Sequence, residues 1–347
     1  MYLKLLTLGN QMRILIVGAG FSGAVIARQL AKAGHTISII DKRDHIAGNC
    51  YDYTNEHGIR IHKYGAHLFH TNNKKVWNWL KPFSEWIKYE HRVLAQLSDG
   101  SFVPFPPNNE TIKKVPKSNI IDTFYRPYSE KMWGIKLEEL DKSIIGRIPM
   151  REDDSDLCFP KDKFQFLPKH GYNNLFTNIL DHQNINIYTN TSFNKSMESS
   201  YDFIFNSMPI DEYFDYEYGP LPYRSIKFHT VTLPSPKLFP AGQINFTHSS
   251  QFTRCIEWKN FPYHGKNDCF STITYEEPCD YIDNNMERYY PVKDVSGVNR
   301  KLYKKYEKMV GNKMKFIGRC GLYIYYDMHM AINSSLAIAD KFIKESS

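Results

Sequence analysis

Residues 13–41 read RILIVGAGFSGAVIARQLAKAGHTISIID, and this stretch fixes more about the fold than any other. The apolar, β-branched run Ile14–Val17 reads as a strand. Gly18-Ala19-Gly20-Phe21-Ser22-Gly23 follows as a G-x-G-x-x-G, then Ala24, Ala27 and Ala31 at helical spacing up to Gly34. A second apolar run, Ile37–Ile40, ends at Asp41. Strand, glycine turn, helix, strand and acid is the order a dinucleotide site requires. Gly18 permits the tight turn, Gly20 lets backbone approach a pyrophosphate, and Gly23 lets helix pack on strand. Phe21 and Ser22, within the motif, are expected cofactor contacts, and the N-terminus of the helix that follows faces the phosphates with unpaired N–H groups. Asp41 is placed to accept from both ribose hydroxyls. An acid there favours an unphosphorylated ribose, so FAD or NAD rather than NADP.

At 347 residues the chain is long enough for two or three subdomains. Aromatics make up 15% of it, which excludes disorder and supplies stacking surfaces for ligands. A formal charge of +7 without long basic runs argues against nucleic acid and suits small anionic ligands. No apolar stretch is long enough to span a bilayer. Residues 1–11 are too short for a signal peptide, and Met12 reads as a second start, so this extension is expected to be disordered. Cysteines 50, 158, 255, 269, 279 and 320 show neither C-x-x-C nor metal spacing. They are expected to be reduced thiols of a cytoplasmic protein, with no metal.

Further along, Val76–Trp86 carries apolar residues at helical spacing. Val93–Phe105 alternates as a hairpin about Asp99-Gly100, and Ile120–Trp133 reads as a short helical region. Glu152–Asp156 is acidic and irregular, like a mobile loop. Strands are expected at Ile185–Thr189 and Phe203–Phe205, and many between Phe228 and Tyr275. The end returns to strand and helix: Lys315–Ile317, then Ile332, Leu336, Ala339 and Ile343 on one helix face. Strand–helix units at both ends bracket a mixed middle, the layout of a flavoprotein with a discontinuous FAD domain. The expected class is α/β. A Rossmann-like FAD-binding domain takes residues 12–80, 160–215 and 293–347. A small helical subdomain takes 108–150, and an antiparallel sheet substrate domain takes 81–107 and 216–292.

Several ordered motifs extend the reading: Gly65-Ala66-His67-Leu68-Phe69-His70-Thr71, Lys131-Met132-Trp133-Gly134, Arg147-Ile148-Pro149, Tyr223-Arg224-Ser225, Thr253-Arg254-Cys255-Ile256-Glu257, Tyr289-Tyr290-Pro291-Val292, Gly318-Arg319 and Tyr325-Tyr326-Asp327-Met328. Together with the glycine unit they resemble the bacterial UDP-galactopyranose mutases over nearly the whole chain. That resemblance implies a non-redox flavoenzyme interconverting pyranose and furanose forms of a nucleotide sugar. Reduced FAD then attacks the anomeric carbon through N5, forming a covalent flavin–sugar adduct, and the diphosphate leaves and returns. NAD(P)H or another reductant is implied for activation.

By the same resemblance, Arg147 and Arg254 hold the diphosphate, a role that suits a planar, permanently charged donor fork. Tyr290 and Tyr325 match phosphate-binding tyrosines, Tyr128 the residue stacked on uracil, and Trp133 the tryptophan over the sugar. Phe159 stands where a Tyr lies near the uridine. His67 sits at the flavin face, Arg319 near the isoalloxazine, and Asp327 and Met328 by the ribityl chain and ring. Lys42, Arg43 and Asn49 match further FAD contacts. Arg224, His70 and His91 lie near the active centre. Glu276 matches an acid near the sugar, with Glu277 leaving that register open by one.

The chain departs from the pattern in places. Only nineteen residues separate Asn108 from Tyr128, so the helical domain is shortened and the homodimer it supports is in doubt. Ala47 replaces a Gly, Met208 stands where Gly is common, and His91 where Asn is. UDP-galactose, UDP-N-acetylgalactose and dTDP-fucose all remain open as substrates. An FAD-dependent oxidoreductase of amine-oxidase type shares the glycine unit and is the alternative. A catalytically silent nucleotide-binding protein is a second.

Overall fold

The computed structural model describes residues 11–140 and 150–346. Five parallel strands form one sheet in the order Ile185–Tyr188, Thr36–Ile40, Arg13–Val17, Phe203–Asn206, Met314–Phe316. Arg13–Val17 lies at its centre, and from Ile14 onward every residue is buried, as its apolar run requires. Helix Phe21–Lys32 follows and packs on the C-terminal helix Met328–Ser346. Ala24, Ala27 and Ala31 meet Ile332, Leu336 and Ala339 in one core. Gly34, at φ +97°, ends the turn after the first helix. A Cβ on Gly23 would lie 1.9 Å from the Gly18 carbonyl oxygen, so only glycine lets this helix start so near the strand.

A seven-stranded sheet faces this unit, ordered Tyr290–Pro291, Tyr223–Leu233, Ser271–Asp280, Arg254–Glu257, Gln243–Phe246, Val93–Gln96, Phe102–Phe105. All its pairings are antiparallel except that of Gln243–Phe246 with Val93–Gln96. The expected hairpin forms with Val93 opposite Phe105, turning through Asp99-Gly100. The class is the expected one: a Rossmann-like parallel unit with an antiparallel sheet.

Two expectations are corrected. The helical spacing of Val76–Trp86 ends early. The helix covers Lys74–Leu80, a 3-10 turn follows over Lys81–Phe83, and Trp86–Lys88 is a strand. That strand and Phe69–Thr71 flank Phe164–Pro168 in a three-stranded sheet. Trp77 stacks on Phe166 at 4.4 Å and meets Trp86 edge-on at 5.2 Å, so aromatic packing overrides the helical period. Ile120–Trp133 is helical as expected, a π-turn at Ile121–Tyr125 running into the α-helix Arg126–Trp133. The strand expected at Lys315–Ile317 is Met314–Phe316, one residue earlier. Residues 1–10 and Arg147 lie outside the described residues.

Candidate functional site

The carboxyl ends of the parallel strands and one face of the large sheet enclose a continuous cavity of about 1430 Å³. Residues that follow each parallel strand line it: Gly18, Asp41, Thr191, Ser207 and Gly318. Open parallel sheets bind ligands at this end.

At the dinucleotide end, Gly18 takes φ +99°, and a Cβ there would lie 2.0 Å from Ser207 Oγ. Gly20 faces Gly48, whose own Cβ would come within 2.9 Å of Gly20 Cα. Two stretches of bare backbone therefore meet at the cavity wall. Ser22 and Gly23 line it, as does Phe21, which also packs on Phe176 at 4.5 Å. Asp41 does more than the sequence suggested. Its Oδ2 accepts the Ala19 N–H at 2.8 Å and its Oδ1 the Arg43 N–H at 3.0 Å, which ties the glycine turn to the next strand. Each oxygen keeps a second lone pair. The Arg43 guanidinium lies 4.1 Å from the Tyr64 ring and donates to Asn49 Oδ1 (2.9 Å) and Glu287 Oε2 (2.8 Å). Lys42 is more exposed and pairs with Glu287 Oε1 at 3.5 Å.

In the middle of the cavity, Arg319 is held by the Tyr289 and Tyr326 carbonyls and lies 5.0 and 5.2 Å from the Tyr290 and Tyr325 rings. Those two rings stack at 5.4 Å, and Trp133 packs against both. Burial pushes the Tyr290 hydroxyl well above its ordinary value, so it stays protonated as a donor. Asp327 and Met328 line the cavity where the C-terminal helix begins. His67 lines it too. Burial, with Arg319 and Arg254 nearby, lowers its pKa to about 4, and its Nδ1 sits 2.8 Å from the Gly65 carbonyl.

On the large sheet, register places Asn245 opposite Arg254, Arg254 opposite Glu276, and Glu276 opposite Phe228. One row of side chains thus crosses four strands. Arg254 Nε donates to Glu276 Oε2 at 2.6 Å. Burial opposes the Arg254 charge, but Glu276, Tyr128 and Tyr290 outweigh it and raise its pKa further. Glu276 is 0% exposed, and its Oε1 has no protein partner. Of the two acids between which the register was left open, Glu276 lines the cavity, and Glu277 pairs with His229 at 2.7 Å.

Beyond Arg254 the wall turns aromatic, with Phe105, Phe124, Tyr125, Tyr128 and Phe159. Phe159 stacks on His70 at 3.6 Å, and His70 Nδ1 is bonded to Asp162 at 2.6 Å. His91 is buried, with a pKa lowered by that burial to about 3. Its partners are the Tyr89 hydroxyl and Gln243, each at 3.3 Å.

Arg224 is corrected. It does not line the cavity: its Nε donates to the Met132 carbonyl at 2.8 Å and a terminal nitrogen to the Lys131 carbonyl at 3.1 Å. It closes the end of helix Arg126–Trp133, where Gly134 turns left-handed and leaves room for the guanidinium. Sequence reasoning missed Gln243 and Asn245, joined at 2.9 Å, and the pair Phe124–Tyr125. Alternating polar residues in the run Gln243-Ile244-Asn245-Phe246 were the available signal.

These residues fit an FAD. The volume exceeds the roughly 300–1,000 Å³ of a pocket for one small ligand, the glycine cradle has no room for a Cβ at Gly18, and an acid and an arginine flank it. Among the described residues no cluster of metal-binding side chains appears, and no helix is long and apolar enough to cross a membrane.

Comparison with known proteins agrees with this geometry. The UDP-galactopyranose mutase family pattern matches residues 123–325, and an NAD(P)-binding Rossmann-like pattern matches residues 16–83. A probable UDP-galactopyranose mutase of Klebsiella pneumoniae is 32% identical over 372 residues, covering 96% of this chain and 95% of its own. A dTDP-fucopyranose mutase of Escherichia coli is 31% identical, covering 96% and 99%. The crystal structure of a reduced UDP-galactopyranose mutase superposes with a TM-score of 0.77 at 15% identity, covering 96% and 94%, which shows the shared fold.

Proposed function

The chain belongs to the UDP-galactopyranose mutase family, a nucleotide-sugar mutase by that membership, and we propose that it interconverts the pyranose and furanose forms of UDP-galactose or a close analogue without net redox change. The observation that carries this reading is the single cavity joining the glycine cradle to the Arg254–Glu276 row. It has room for a dinucleotide and a nucleotide sugar side by side.

FAD is the resident cofactor in this reading. Gly18, Gly20, Phe21, Ser22, Gly23, Asp41, Arg43 and Asn49 hold its adenosine diphosphate half, and Arg319, Asp327, Met328 and His67 its ring half. When bound and reduced by NAD(P)H or another reductant, the flavin supplies the nucleophile that parts the sugar from its diphosphate. Arg254, with Arg147, holds that diphosphate and balances its charge as it departs and returns. Glu276 keeps the Arg254 fork aimed, and Tyr290 and Tyr325 offer hydroxyls to the same group. Trp133 walls off water from the sugar. Tyr128 and Phe159 give flat faces to the base.

The test is incubation of dithionite-reduced holoenzyme with UDP-galactose, UDP-N-acetylgalactose and dTDP-fucose, with chromatography of the products. Furanose formation without stoichiometric loss of reductant is expected. Reductant consumed one for one with product would favour the amine-oxidase-type reading, and a colourless protein that takes up NAD but not FAD would overturn the cofactor assignment.

A further inference from the structure

Behind His67 lies a pair of buried histidines outside the binding machinery described so far. His62 Nε2 and His264 Nε2 are 3.0 Å apart, and both residues are almost wholly buried. His264 comes from the segment after Arg254–Glu257, some 200 residues away in sequence. Trp258 packs beside His62 at 5.1 Å and Tyr172 meets it edge-on at 5.4 Å.

The contacts on the outer nitrogens allow one assignment of protons. The His67 backbone N–H donates to His62 Nδ1 at 3.0 Å, so that nitrogen is bare. A neutral His62 then carries its proton on Nε2 and donates it to His264 Nε2. His264 in turn carries its proton on Nδ1, which faces the Pro262 carbonyl at 2.9 Å. His67 follows the same logic: its Nδ1 faces the Gly65 carbonyl, which can only accept, so Nδ1 holds the proton and Nε2 is bare. An extra proton on either buried histidine would break a link. On His264 it would set two N–H groups head to head; on His62 it would remove the acceptor for His67.

We propose that the His62–His264 pair positions His67 by fixing its backbone N–H, which keeps the ring Nδ1–H on the Gly65 carbonyl, so that the cavity is offered a bare nitrogen that accepts a hydrogen bond. The groups it recognises are donors: a sugar hydroxyl or a ring N–H of the bound ligands. His62 and His264 are positioning residues, since neither lines the cavity. The inference rests on the proposed function for what binds there, while the proton assignment stands apart from it.

The experiment uses FAD-loaded protein labelled with ¹⁵N-histidine, with long-range ¹H–¹⁵N spectra reporting each tautomer and steady-state turnover of UDP-galactose measured in parallel. Wild type is expected to show His67 and His264 as Nδ1–H and His62 as Nε2–H. His62→Asn keeps an acceptor where Nδ1 stood, so His67 should stay Nδ1–H and kcat/KM should remain within about threefold. His62→Leu removes that acceptor; His67 should become a tautomer mixture and kcat/KM should fall about tenfold, the loss of one ordering hydrogen bond. His264→Phe removes the acceptor of the His62 Nε2–H and lets that ring turn away from the His67 N–H, so His67 should again become a tautomer mixture although no cavity residue is changed; it carries the test if His62→Leu does not fold. An unchanged His67 tautomer in His62→Leu, or in a folded His264→Phe, overturns the proposal. So does a folded His62→Asn as impaired as His62→Leu. Absence of UDP-galactose turnover in wild type with the expected tautomers would overturn the substrate reading and leave the lock standing.

Discussion

Replacing Arg254 by alanine should do two separable things. Its Nε is 2.6 Å from Glu276 Oε2, and Glu276 is wholly buried with its other oxygen unpaired. Removing one partner of a buried pair typically destabilises by about 3–5 kcal/mol, because the other charge is left behind. At ~2.1 cal/mol/K of unfolding entropy per residue, a chain of 347 residues should lose roughly 4–7 °C of Tm. Separately, the diphosphate loses a permanent cation, and kcat/KM should fall about a hundredfold, on the order of 3 kcal/mol. Arg254→Ala combined with Glu276→Gln tells the two apart. The amide carries no charge to strand, so calorimetry at fixed FAD should show most of the lost Tm restored while turnover stays low. If the double variant regains turnover, Arg254 serves only to neutralise Glu276. If its Tm stays as low as that of the single variant, Glu276 was not left charged.

Three further outcomes are expected. His91 and His264 have folded pKa values lowered by burial to about 3 and 4, against an ordinary 6.5. Below 6.5 the unfolded chain binds protons the folded chain refuses, so stability is complete above that pH and falls as pH drops, by roughly 2 kcal/mol per histidine at pH 5; a urea midpoint that does not move between pH 7.5 and 5 would contradict this. Ala47 is held at φ +73°, a left-handed conformation that strains an alanine. Ala47→Gly should raise stability by roughly 0.5–1 kcal/mol in urea titrations, and a loss would show that the methyl group's packing dominates. Arg224→Met should lower stability by roughly 1.5–3 kcal/mol, with KM for the nucleotide sugar within about threefold. A KM rise as large as that of Arg254→Ala would return Arg224 to the diphosphate site.

Local order was written in the chain. The run Ile14–Val17, the glycines and the alanine spacing specify strand, turn and helix through short-range sterics and periodicity, and each forms where expected. The hairpin about Asp99-Gly100 and the C-terminal helix face follow for the same reason. The ordered motifs also sufficed to identify the family, because each holds its chemistry within a few residues. Tertiary structure decided which side chains meet. Arg224 and Arg254 sit in similar strand contexts, yet one caps a helix while the other pairs with Glu276, since strand register and the chain crossing above each guanidinium differ. Trp86 left a helical pattern for a strand because Trp77 and Phe166 were there to pack on it. Asp41 turned out to brace the glycine loop as well as face the cavity, which no residue type alone reveals. The His62–His264 contact joins segments some 200 residues apart. Sequence spacing carries periodicity over a dozen residues; contacts at that distance exist only once the two sheets have packed.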